Sequence, residues 1–108
     1  MQEKAGGPTA VVRVTGSYGR FEDFRERVRW LLVRDPDCDP YTEHHEPGRL
    51  EYRFEVVKGI PFPSFVSASA EFPELRVEVQ WNKDDASGGA AIESGKLVEK
   101  WTGPGPQP

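Results

Sequence analysis

Chemistry-bearing side chains crowd one short stretch of this chain. Between positions 35 and 46 stand Asp35, Asp37, Cys38, Asp39, Glu43, His44, His45 and Glu46. Thiolate, imidazole and carboxylate are ligands of zinc and other divalent ions, and three or four must converge on one point to hold one. Cys38, Glu43, His44 and His45 are therefore the candidate metal ligands. Their spacing matches no established zinc pattern. If 41–45 is a strand, successive side chains point to opposite faces, so His44 and His45 cannot share an ion. The competing reading is an acidic connector running into a solvated strand. Cys38 stands between Asp37 and Asp39, and negative neighbours raise a thiol pKa, which disfavours a reactive thiolate.

Two further patterns invite phosphate chemistry. Gly16-Ser17-Tyr18-Gly19-Arg20 places glycines and an arginine before a helix, where backbone N–H groups can face an anion. It is too short for the phosphate cradle of an acylphosphatase-like enzyme, and its plainer role is a tight turn. Arg20, Arg25, Arg27, Arg29 and Arg34 form a basic run. Glu22, Asp23 and Glu26 dilute its potential, so a solvated helix face is the simpler account. Ser64, Ser67 and Ser69 have no candidate base nearby in sequence. No convergent catalytic set emerges, and no cofactor is expected.

The totals narrow the field. The chain has 108 residues, enough for one modest core. A net charge of −4 argues against a binder that works by neutralising phosphates. Cys38 is the only cysteine, so no intrachain disulfide is possible. No apolar run reaches membrane-spanning length, and 1–8 lacks the apolar centre of a secretory leader, so the expected location is cytoplasmic.

These side chains must be positioned by a regular scaffold, and the patterning supplies one. Residues 1–9 are polar and glycine-rich and read as an arm. The ordered domain is expected over 10–102, with 103–108 a Gly/Pro tail. Alternation over 10–16 predicts a strand with Val12 and Val14 inward and Val11, Arg13 and Thr15 outward. Phe21, Phe24, Val28, Leu31 and Leu32 make a helical stripe over 20–33, ended by Asp35-Pro36. Glu22/Arg25, Asp23/Arg27 and Glu26/Arg29 are expected pairs on its wet face. Segments 41–45 and 49–57 predict a hairpin turning at Pro47-Gly48. Leu50, Tyr52, Phe54 and Val56 face inward there, and Glu51, Arg53, Glu55 and Val57 outward. A short helix is expected over 63–72. A strand follows over 75–81, with Leu75, Val77, Val79 and Trp81 inward. Residues 82–89 read as a loop, and 90–93 with 96–101 as a small hairpin through Ser94-Gly95.

The resulting fold class is α+β, in the ferredoxin-like split βαβ order (βαββαβ) with an extra C-terminal β-hairpin. A mainly antiparallel sheet would carry two helices on one face and leave the other wet. RNA-binding domains of this type stack bases on sheet-face aromatics. The outward positions Val11, Arg13, Thr15, Glu51, Arg53 and Glu55 include none.

The second half of the chain resembles the YubB-like, ferredoxin-like domain of phage and plasmid proteins. The likeness rests on the alternating aromatic strand 50–57, the Ile60-Pro61-Phe62-Pro63 helix entry, Glu71-Phe72-Pro73-Glu74-Leu75, the strand ending in Trp81, and the small-residue hairpin 88–100. Lys58-Gly59-Ile60-Pro61 stands where that family carries a Trp-Ser-Pro-Pro-like segment. The resemblance implies the fold and carries no activity with it.

The functional expectation is a non-enzymatic accessory or protein-interaction module. It would act through the sheet face or an edge strand, on a protein partner or a second copy. Arg53 and Arg76 on the outward face, and Trp101 beside the tail, are the expected contact residues. The alternative is a metal-dependent or phosphate-processing enzyme using 35–46 or 16–20.

Overall fold

The computed structural model describes residues 9–55, 60–83 and 86–103. In chain order they form β1 (Thr9–Gly16), a single 3-10 turn (Tyr18–Arg20), α1 (Phe21–Val33), β2 (Tyr41–Glu46), β3 (Arg49–Glu55), α2 (Phe62–Glu71), β4 (Leu75–Lys83), β5 (Ala86–Glu93) and β6 (Lys96–Thr102). The architecture is α+β. One six-stranded sheet has the order β2-β3-β1-β4-β5-β6, and every neighbouring pair is antiparallel. No helix among the described residues is long and apolar enough to cross a membrane.

The core forms where the alternating strands meet the helical stripe. Val12 and Val14 of β1, Leu50, Tyr52 and Phe54 of β3, and Leu75, Val77 and Val79 of β4 are buried with Ile92 of β5. Phe21, Phe24, Val28 and Leu32 of α1 and Phe65 and Ala68 of α2 close over them. Rings meet edge-on, as Phe24 with Phe72 and Phe65 with both Tyr52 and Phe54, the arrangement their quadrupoles favour. Residues Val56 and Val57, expected to continue this alternation, lie outside the described residues.

Two turns use the geometry their residues permit. Gly48 has φ +78°, the left-handed value a type II turn requires after Pro47. Ser94 and Gly95 both have positive φ (50° and 76°), the pattern of the tight hairpin turn whose twist matches its strands. The β5–β6 tip then docks on α2: the Gly95 N–H donates to the Ser69 Oγ at 3.2 Å. That contact explains why Ser69, a polar residue, is fully buried.

The expected loop over 82–89 is mostly strand. Asn82 and Lys83 extend β4, and Ala86, Ser87, Gly88 and Gly89 begin β5. Small residues have low strand propensity, but two indoles need the space they leave. A Cβ on Gly88 would come within 3.0 Å of the Trp81 ring, and one on Gly89 would overlap the Trp101 ring. Ring packing outweighs propensity here.

The wet face of α1 also pairs differently from expectation. Glu22 and Arg25 do meet, at 2.7 Å. Asp23 instead pairs with Arg20, Arg27 crosses to Glu71 of α2 at 2.9 Å, and Arg29 points to Glu43 of β2 at 3.8 Å. For Arg27 and Arg29, acidic residues on neighbouring elements take the place of the expected partner one helical turn away.

Candidate functional site

The candidate metal ligands of the 35–46 segment do not converge on one point. Residues directly opposite in register share a face, so His44, opposite Glu51, points to the side away from the helices, and His45, opposite Leu50, points towards them. The His44 Nε2 lies 3.2 Å from Glu46, whereas the His45 Nδ1 lies 3.7 Å from Glu22. Glu43 accepts a hydrogen bond from Arg25 at 2.8 Å. The Cys38 thiol donates to the Asp39 carbonyl at 3.4 Å. Burial first, then Asp35 and Asp39, pushes that thiol up, away from thiolate reactivity. Among the described residues no three His, Cys, Asp or Glu side chains are grouped to hold a metal ion.

The 16–20 turn is engaged structurally. Gly16 has φ +122°, and a Cβ there would meet the backbone of Glu74 and Leu75. Arg20 pairs with Asp23 at 3.0 Å and Glu74 at 3.3 Å, and its guanidinium lies over the Phe72 ring.

The helix-free face of the sheet holds a different kind of arrangement. Strand alternation sends Arg13, Arg49, Glu51 and Arg53 to this face, with Arg13 directly opposite Glu51. The Glu51 carboxylate is shared by three guanidiniums. Arg13 reaches Oε2 through Nε at 3.1 Å and Nη2 at 3.0 Å, while Arg49 and Arg53 reach Oε1 at 3.1 and 3.4 Å. The arginine stems fold over the shorter acid, leaving Glu51 only 1% exposed. Burial acts to raise its pKa, but the hydrogen bonds from Arg13 and Arg49 and the charges of Arg13 and Arg53 win and hold it below the ordinary carboxylate range.

Two strands away the composition is inverted. Arg76 of β4 is shared by three carboxylates. Its Nε donates to Glu78 at 2.9 Å, its Nη1 to Glu93 at 2.8 Å, and its Nη2 to Glu99 of β6. To reach Glu99 it spans β5 where Ala91 stands in register between Glu78 and Glu99. A larger residue there would block the bridge. The three carboxylates raise the Arg76 pKa further, so its charge is permanent.

Trp101 lies on the same face. Its indole covers Gly89, its Nε1–H donates to the Gln80 Oε1 at 2.8 Å, and Gln80 in turn donates to the Gly103 carbonyl at 3.0 Å. An aromatic therefore does stand on this face, contributed by β6 rather than by β1 or β3. It is half-buried; the most exposed indole is Trp30 of α1, 47% exposed, with Arg27 and Arg34 stacked on it. Arg53 and Arg76, expected as contact residues, are members of the two opposite clusters. Sequence reasoning missed the burial of Glu51, although Arg-x-Glu-x-Arg at positions 49–53 carries the signal: all three residues share one strand face.

Compared with protein-family models, curated proteins and solved structures, the chain matches none.

Proposed function

We propose that this chain is a non-enzymatic protein-interaction module that binds through the helix-free face of its sheet. The observation that carries the proposal is the pair of opposite charge clusters on that face. Three guanidiniums share one carboxylate at Glu51, and three carboxylates share one guanidinium at Arg76. Each cluster leaves charge unmatched within itself, which favours a complementary charged surface and disfavours wrong ones.

The scaffold belongs to the proposal as a ferredoxin-like βαββαβ unit extended by a C-terminal hairpin. The strand order β2-β3-β1-β4, with β5 and β6 added beyond β4, supports that reading. The likeness to YubB-like domains and a reducing, cytoplasmic setting for the lone Cys38 complete it.

Affinity capture with wild-type, Arg53→Glu and Glu99→Arg baits tests the proposal. The expected result is that both substitutions lose the specifically retained partner. Equal retention by all three baits would exclude the sheet face as the contact surface.

A further inference from the structure

Beneath α1, two buried polar atoms have no hydrogen-bond partner among the described residues: the Tyr52 hydroxyl and the Arg25 Nε. We infer that one internal water satisfies both, bound between them and the Glu43 carboxylate, and that it fastens the edge strand β2 to α1 and β3.

The three groups are neighbours. Tyr52 and Glu43 stand directly opposite in the β3–β2 register, so both point to the helix side of the sheet. Arg25 descends from α1 onto the same carboxylate, its Nη1 donating to the Glu43 Oε2 at 2.8 Å. The Nη2 of that guanidinium donates to Glu22 at 2.7 Å, while Nε stays buried and unused. Arg20 Nε also lacks a hydrogen bond, but the Glu74 carboxylate lies 3.3 Å from it. Tyr52 is 1% exposed, so bulk solvent does not reach its hydroxyl. Burial first, then the Glu43 charge, pushes the phenol far up and keeps its proton in place. Tyr41 and Phe65 pack against the ring at centroid distances of 6.1 and 5.5 Å and oppose its swinging directly onto Glu43. Buried polar groups left without a protein partner are regularly met by an ordered water.

The chemistry of the groups selects the occupant. Nε can only donate, a carboxylate oxygen can only accept, and the phenol can do either. Arg25 and Arg29 both address Oε2 of Glu43, which leaves Oε1 without a donor among the described residues. A water accepts from Nε, donates to Glu43 and exchanges a bond with Tyr52, the roughly three bonds usual for an internal water. A halide would satisfy the two donors but face the Glu43 carboxylate. A cation would face Arg25, and Arg29 with its Nη2 at 3.8 Å from Glu43. The bridge also continues outward, because Glu22, held by Arg25, lies 3.7 Å from His45 of β2. No residue of β2 is fully buried, so polar contacts of this kind carry much of its attachment.

A high-resolution crystal structure of wild type, grown with bromide in solution, tests this. The expected result is water density, without anomalous signal, within hydrogen-bond distance of Tyr52 Oη, Arg25 Nε and Glu43. A bromide peak there, a direct Tyr52–Glu43 bond, or no density overturns the inference. Urea unfolding of Tyr52→Phe gives an independent reading in solution. Removing a satisfied hydroxyl should raise the unfolding equilibrium constant roughly fivefold. An unchanged or lowered constant overturns the bridge, because deleting a dry hydroxyl relieves its burial cost. Should the variant misfold by circular dichroism, the wild-type density decides.

Discussion

Glu51 and Arg76 sit two strands apart on one surface, each bound by three residues of opposite charge, yet they differ in kind. Glu51 is short, and its partners are long. Arg13, Arg49 and Arg53 fold over it and take up both of its oxygens, leaving it buried on a face that has no helix above it. Arg76 is the long member of its cluster and stays 30% exposed, with one nitrogen for each of three glutamates. The first cluster buries a charge at a central strand. The second ties β4, β5 and β6 together at the surface. Inverting the charges thus exchanges a desolvated ion for a solvated one, and the energetics should follow burial rather than the number of ion pairs.

The sharpest test is removal of each centre. Glu51→Ala leaves three arginines without their shared acid and a gap beneath them, and should cost about 2–3 kcal/mol in urea unfolding. Arg76→Leu should cost about 1 kcal/mol or less in the same measurement, because water already solvates much of that cluster. Equal costs would break the comparison.

Next in size is the support of β6. Gly89→Ala sets a methyl group against the Trp101 ring and should destabilise by about 1–2 kcal/mol. A shift in tryptophan emission would accompany it. Since β6 carries Glu99, the cost of Arg76→Leu should shrink in this background, and that of Glu51→Ala should not.

Acid should separate the clusters further. The folded-state pKa of Glu51 lies below its unfolded value, so its contribution is fully present above the unfolded value and is lost as pH falls through the folded one. Glu51→Gln should therefore flatten the acid limb of the stability–pH curve. Arg76, whose pKa is raised, keeps its proton across that range. The smallest effect is that of salt: in about 1 M NaCl the cost of Arg76→Leu should fall by roughly 0.5 kcal/mol, while that of Glu51→Ala changes less.

Particular residues show how far the fold could be read in advance. Val12, Val14, Leu50, Tyr52, Phe54, Leu75, Val77 and Val79 face the core as their alternation predicts, because a strand repeats every two residues whatever lies around it. Phe21, Phe24, Val28 and Leu32 do the same for the helical period. Gly88 and Gly89 were illegible as strand, since their reason for being small is a ring on another strand. The ion pairs of α1 divided similarly: Glu22 with Arg25 is local, whereas Arg27 with Glu71 joins two helices.

The metal-ligand types of 35–46 could be weighed from strand alternation alone, which sends His44 and His45 to opposite faces of the sheet. The interaction face could not be completed that way. Arg53 and Arg76 were legible as outward-facing. That Glu51 is buried beneath Arg13, that Arg76 reaches Glu99 across Ala91, and that Trp101 covers Gly89 all depend on which strands lie side by side. Local periodicity determined which way each side chain points, because backbone geometry sets it residue by residue. The partner each side chain meets was decided by the tertiary structure alone, because strand order joins residues that the chain holds far apart.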